Sequence, residues 1–119
     1  MTPREEIILA CAAAWLKFCQ LFPQLELSTM PDIQFNNRLR TTAARAHTDI
    51  RLVEVASKLY VGNEQEYANV LIPHELAHQI DVDLFGDPGD TDSLHHGPTW
   101  QRIMVAYGLP PDRYHNLQT

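Results

Sequence analysis

The sequence predicts a single α+β domain, in which a small three-stranded sheet of antiparallel type packs with three helices. Two observations support this. The length of 119 residues suits one hydrophobic core, and 45% hydrophobic with 20% charged residues is ordinary for a globular protein. In addition, three short segments rich in β-branched or aromatic residues, within residues 31–56, lie between segments with helical spacing. We therefore expect residues 1–119 to form one domain.

The N-terminal segment TPREEIILACAAAWLKFCQLFP is typical of a helix. Thr2 can cap it, Pro3 suits the first turn, Glu5 completes a capping box and Pro23 ends the run. The residues that recur at helical spacing are Ile8, Ala12, Trp15 and Cys19, of which we expect Trp15 to lie in the core.

The two cysteines indicate a reducing environment. Cys11 and Cys19 are eight residues apart, or about 12 Å along a helix, which is too far for a disulfide. The acidic REE before the apolar run is wrong for a signal peptide, and no apolar stretch reaches ~18 residues. We therefore expect a cytoplasmic protein without a membrane span.

The segments DIQFNNRL, TTAARAH and DIRLVEV are read as three strands of a meander. Turn signals separate them, first at Asn36-Asn37 and then at His47-Thr48-Asp49, where we expect His47 to be a solvated turn residue.

Two further helices follow. The first spans residues 63–86, with Asn63 as its cap, Glu66 reaching back, and Pro73 forcing a kink or a restart. Gly86 ends it. In the last, GPTWQRIMVAYG, Pro98 lies in the first turn and an apolar stripe is predicted to face the core: Trp100, Ile103, Met104 and Tyr107.

The segment PHELAHQ carries a metal-binding pattern. His74 and His78 are four residues apart, so both lie on one helix face and can offer imidazole nitrogens to one metal at ~2.1 Å. Glu75 is about 100° further round the helix, beside the metal, where it can take a proton from water. The alternative is a surface helix without a metal site, in which both histidines are solvated.

A catalytic zinc needs a third protein ligand and an open fourth position. Loop aspartates favour turns, and the two helical aspartates are angled away from the histidine pair. The third ligand is therefore expected in HHGPTW, where both histidines remain candidates. The candidates downstream of His78 are Asp81, Asp83, Asp87, Asp90, Asp92, His95 and His96.

PHELAH followed by HGPTWQRIM resembles the SprT-like (Spartan-type) zinc metallopeptidases, and the similarity extends over about residues 30–116. The resemblance implies a zincin-like domain with one zinc per chain held by His74, His78 and His96, since the family's third ligand directly precedes the glycine. The chain has no CxxC, so residues 1–119 are similar to the catalytic core without the family's cysteine zinc ribbon.

The resemblance also implies an endopeptidase that acts on protein or peptide substrates. IRL at residues 50–52 resembles the family's edge strand, so an edge strand near Ile50–Val55 is expected to hold the substrate backbone by strand addition. The zinc would polarise water and the scissile carbonyl, and Glu75 would carry the proton to the leaving amine. Trp100 could hold His96 in place, and an oxyanion could be stabilised by Tyr107, Tyr114 or His115. The alternatives are a non-catalytic zinc-binding interaction module and a DNA-associated accessory protein.

The charge distribution bears on the partners. The net charge is −6, with +1 in residues 1–60 and −7 in residues 61–119. An acidic C-terminal half disfavours broad phosphate binding, although Arg38, Arg40, Arg45 and Arg51 form a locally basic stretch. We expect weak or no nucleic-acid binding, no membrane partner and a monomer.

Overall fold

The structure is a computed structural model that describes residues 1–40, 42–86 and 97–111. Among these residues, no helix is long and apolar enough to cross a membrane. The elements follow in the order α1 (Pro3–Leu21), a 3₁₀ turn (Pro23–Leu27), β1 (Asp32–Asn36), β2 (Ala44–His47), β3 (Leu52–Ala56), α2 (Glu64–Glu66), a π-helical turn (Tyr67–Leu71), α3 (Ile72–Phe85) and α4 (Pro98–Tyr107). The α+β class is confirmed.

Helix α1 begins and ends as predicted, but it buries a different face. Thr2 Oγ1 accepts the Glu5 N–H at 3.2 Å, and Glu5 Oε1 accepts the Thr2 N–H at 3.0 Å, which completes the capping box. Of the four residues named from spacing, only Trp15 is fully buried. The buried face is Ile7, Cys11, Ala14, Trp15 and Phe18. The run is apolar on every side, so spacing alone does not select the face that packs.

Both cysteines lie on α1 as free thiols, as expected. Cys11 is buried, and this burial raises the pKa of its thiol to about 12. A thiol that holds its proton so firmly is a poor nucleophile at neutral pH, so Cys11 serves as a small core residue.

The sheet is mixed, and the predicted antiparallel meander is wrong. Its strand order is β1-β3-β2, with β1 parallel and β2 antiparallel to β3. The predicted turn after Asn36 exists, but the chain then runs on past β3 instead of folding back as a hairpin. Leu39 and Ala43 are buried along this connection and anchor it to the core. Strand β3 takes the centre because Val53 and Val55 bury its core-facing side completely.

The central place of β3 corrects a second expectation. Leu52–Ala56 pairs with β1 on one side and with β2 on the other, so residues 50–55 are not an edge strand. The edges of the sheet are β1, which lies next to α1, and β2, which packs against α3.

The face of the sheet opposite the core carries a small polar cluster. Glu54 Oε1 lies 2.6 Å from His47 Nε2, and Glu54 Oε2 accepts a hydrogen bond from Asn36 Nδ2 at 2.9 Å. His47 therefore ends strand β2 with a carboxylate partner, and the expectation of a solvated turn residue is wrong. One carboxylate thus connects all three strands.

The helix that bears the histidine pair starts as α2, widens into the π turn and restarts as α3. The Ile72 N–H donates to the Tyr67 carbonyl, five residues back. Pro73 follows immediately, in the first turn of α3, where a missing N–H is tolerated. Of the two alternatives predicted for Pro73, a kink or a restart, the structure shows the restart. The Asn63 cap is wrong in detail, since its side-chain amide donates to the Leu59 carbonyl at 2.8 Å.

Two side-chain contacts fix this helix along β2. Near its start, the Tyr67 hydroxyl donates to the Ala56 carbonyl at 2.5 Å. Near its end, Asp83 accepts two hydrogen bonds from Arg51 in the β2–β3 turn, at 2.8 and 2.9 Å. His74 and His78 lie between these contacts, so the helix presents the pair alongside β2.

Arg51 is the basis of a first stability prediction. Its φ of 53° is in the left-handed region, and its guanidinium also bonds the Thr29 carbonyl. We expect Arg51→Ala to lower the free energy of unfolding by about 1–2 kcal/mol, since it removes charge-assisted hydrogen bonds that are partly exposed. Arg51→Gly removes the same bonds but relieves the backbone, so it should be about 1 kcal/mol more stable than Arg51→Ala. Chemical denaturation measures both; equal losses would contradict a strained turn.

Candidate metal centre

The histidine pair has a geometry that suits one metal ion. The ring centroids of His74 and His78 are 5.3 Å apart, with the ring planes at 70°. Two imidazoles that share a tetrahedral zinc at ~2.1 Å per nitrogen have their centroids about 5 Å apart, so the spacing fits. His74 is buried and His78 is half-buried, which disfavours the alternative of two solvated histidines.

Trp100 from α4 holds both rings in place. Its indole stacks on His78 at 5.4 Å and 20°, and meets His74 edge-on at 4.9 Å. The Trp100 Nε1–H donates to the His74 carbonyl at 3.4 Å, and the side chain is completely buried. The predicted apolar stripe of α4 is confirmed, and Trp100 also restricts the orientation of two potential ligands.

Glu75 is the most unusual group in the centre. Its side chain is buried, and no hydrogen bond or ion pair to it occurs within residues 1–40, 42–86 and 97–111. Desolvation by burial raises the pKa of Glu75 to about 8. A buried carboxylate without a partner is costly, and a nearby cation would offset that cost. A metal ion held by the adjacent histidines fits this requirement.

The two helical aspartates among the candidate third ligands have other partners. Both oxygens of Asp83 bond Arg51, and Oδ1 also accepts from Gln79 Nε2 at 3.2 Å. Asp81 is buried, and its Oδ1 accepts the Thr99 hydroxyl at 2.5 Å. Asp81 therefore fixes the first turn of α4 to α3, about one helical turn beyond His78. This role was not predicted; its only signal in the sequence is a polar residue three positions after His78.

The Asp81–Thr99 contact gives a second stability prediction. Desolvation raises the pKa of Asp81, and the Thr99 hydroxyl partly opposes this. A pKa raised above the unfolded value of ~3.9 makes the folded state lose stability as pH rises from about 4 through the folded pKa. Thr99→Val removes the opposing bond, so we expect a loss of about 1–3 kcal/mol at pH 7 and a smaller one near pH 4.

Thr99→Ser keeps the hydroxyl and serves as the matched control. Urea denaturation at the two pH values measures both variants. A Thr99→Val loss that is equal at pH 4 and pH 7 would rule out the carboxylate as its cause.

The other residues named from the sequence divide into two groups. The Tyr107 ring packs against Phe18 at 4.4 Å, under Lys17 Nζ at 4.0 Å, which is the packing predicted for its stripe. Within the described ranges, no three His, Cys, Asp or Glu residues are grouped to hold a metal. The remaining candidates lie outside the described residues: Asp87, Asp90, Asp92, His95, His96, Tyr114 and His115.

Comparison with known proteins gives a consistent result. A model of the SprT-like family matches residues 16–115. Protein SprT of Pseudomonas aeruginosa is 40% identical over 87 residues, which cover 71% of this chain and 49% of that protein. Protein SprT of Pseudomonas paraeruginosa is 39% identical over 89 residues, covering 73% and 52%, and that of Pseudomonas putida is 35% identical over 89, covering 74% and 51%. The chain spans about half the length of these curated relatives. No solved structure matches it significantly.

Proposed function

The chain belongs to the SprT-like family, and we propose that it is a zinc-dependent endopeptidase with a zincin-like active site. The single observation that carries this proposal is the buried Glu75 carboxylate, without a partner among the described residues, next to two histidines at zinc-sharing distance. His74 and His78 would hold the metal, with His96 as the third ligand, and a bound zinc would polarise a water molecule and the scissile carbonyl.

Glu75 does the proton chemistry in this proposal. Its carboxylate takes a proton from the attacking water, whose oxygen bonds to the carbonyl carbon. When the C–N bond breaks, Glu75 delivers that proton to the leaving amine, and an acid and an amine result. Burial raises the pKa of Glu75 above that of an ordinary carboxylate and makes it a stronger base, while a bound cation would oppose this rise. Trp100 keeps the histidine rings oriented throughout.

The substrate would lie along strand β2. This strand is an edge of the sheet and packs against the helix that carries the histidines. The Ala56 N–H donates to the Ala43 carbonyl, so Ala43, Arg45 and His47 direct their backbone groups towards β3. Ala44 and Ala46 therefore direct theirs away from the sheet, where an extended peptide can add as a further strand.

Incubation with unfolded protein tests the activity. We expect cleavage of denatured or flexible proteins that stops when a chelator removes zinc and returns when zinc is added back. An absence of zinc-dependent cleavage over a broad substrate panel would favour the non-catalytic zinc-binding module instead. Such a module has no need of a buried carboxylate beside its metal.

The DNA-associated alternative gives a separate expectation. Arg51 is engaged by Asp83, which leaves Arg38, Arg40 and Arg45 as exposed arginines of the basic stretch. With ~0.9 per phosphate contact, three contacts give a slope no steeper than about −3 in log affinity against log salt. We expect weak duplex binding in a salt titration, and tight binding at physiological salt would revive this alternative.

A further inference from the structure

Arg45 occupies an unusual position on the polar face of the sheet. It is directly opposite Glu54 in the β2–β3 register, where a cross-strand ion pair is the expected contact. Glu54, however, is engaged at both oxygens, by His47 and by Asn36. Arg45 is exposed, and neither of the ion pairs in the described part of the chain includes it.

The register of β2 would bring the Arg45 side chain close to a residue of a peptide that pairs with the free edge of this strand. Arg45 directs its backbone groups to β3, so a residue facing it across the free edge would form a non-hydrogen-bonded pair if the added strand is antiparallel. In such pairs the Cα atoms are only about 4.5 Å apart and the side chains are close. His47, two residues along on the same face, already has Glu54 as its partner. Among the described residues, the polar face of this edge therefore carries one cation, Arg45, without a carboxylate partner.

We propose that Arg45 is a specificity-determining residue that selects an aspartate or glutamate in the substrate, at the position facing it across β2. This inference rests on the proposed peptidase function and names a preference of that same site. Opposite charges across a strand pair are favourable and like charges are unfavourable. The competing explanation is a charge that protects an exposed strand edge from aggregation, and it predicts no positional preference.

A peptide series provides the test. A neutral peptide containing a bond that the protein cleaves is made with Asp, Ala or Lys at each position within four residues of that bond, and kcat/KM is measured. We expect one position at which Asp exceeds Ala and Ala exceeds Lys, with roughly a ten-fold span from Asp to Lys. In Arg45→Glu the order at that position should reverse. Arg45→Gln should remove the differences in kcat/KM among Asp, Ala and Lys at that position. If Arg45→Glu does not fold, this loss of preference in Arg45→Gln is the test.

Arg38→Glu is the matched control. Arg38 is also exposed, and it lies in the turn after β1, away from the free edge of β2. Arg38→Glu should change the Asp-to-Lys ratio of kcat/KM at the selected position by less than about two-fold, since it alters only the long-range electrostatic field. N-methylation of the peptide residues beside the selected position should abolish cleavage, because it removes main-chain pairing with β2.

The possible outcomes distinguish the proposed role of Arg45 from the proposed peptidase activity. Cleavage without a preferred acidic position, or a preference that Arg38→Glu changes as much as Arg45→Glu does, would overturn the role of Arg45 and leave the peptidase intact. A failure to cleave any peptide or protein would overturn both.

Discussion

Glu75→Gln should abolish peptide hydrolysis while leaving the fold and zinc binding intact. The substitution keeps the size and shape of a buried side chain but removes its ability to accept a proton. Loss of a general base typically reduces the rate 10²–10⁴-fold, so cleavage of an unfolded protein should fall to background. Because the carboxylate has no partner in the described residues, its neutral replacement should not lower stability.

Three measurements on Glu75→Gln distinguish catalysis from structure. Zinc content by elemental analysis and thermal unfolding should match the parent, and only turnover should change. If Glu75→Gln cleaves as fast as the parent, Glu75 is not the base and the proposed mechanism is wrong.

His96→Ala should cause a large loss of zinc. Removing an outer partner of a metal ligand commonly costs 10–100-fold in affinity, so loss of a ligand itself should exceed about 100-fold. His74 and His78 would remain with two of the three protein ligands that a catalytic zinc needs. Competition with a chromophoric chelator measures the affinity directly, without depending on turnover.

His95→Ala is the matched control, since it removes a neighbouring imidazole from the same segment. It should retain zinc within a few-fold of the parent. If His96→Ala keeps its zinc and His95→Ala loses it, the third ligand has been assigned to the wrong histidine. Retention in both variants would point to an aspartate such as Asp87, Asp90 or Asp92.

Features that depend on near neighbours in the chain were predictable. The capping box of α1 involves Thr2 and Glu5 alone, and the pairing of His74 with His78 follows from one helical turn. The family followed from two short motifs. The assignment of His96 came from that resemblance and stays a prediction.

Features set by distant contacts were not predictable. The strand order places β3 at the centre of the sheet, and this depends on its contacts with the rest of the fold. The buried face of α1 likewise depends on which elements pack against that helix. His47 acquired a partner only because pairing brings Glu54 beside it. Asp81 and Thr99 are eighteen residues apart, and neither reveals the other in the sequence.

The π turn at Tyr67–Leu71 has a consequence for changes of chain length. It accommodates one more residue than an α-helical turn, so the residues on either side are about 100° out of phase with a continuous α-helix. Tyr67 can thereby point at Ala56 while the histidine pair keeps its own orientation. Deleting one residue within this turn would rotate Tyr67 away from the Ala56 carbonyl and break that hydrogen bond. Pro73 would then lie inside a regular α-helix, where a proline costs about 3 kcal/mol. Deletion of a single residue should therefore lower the stability more in this turn than in the connection between β1 and β2.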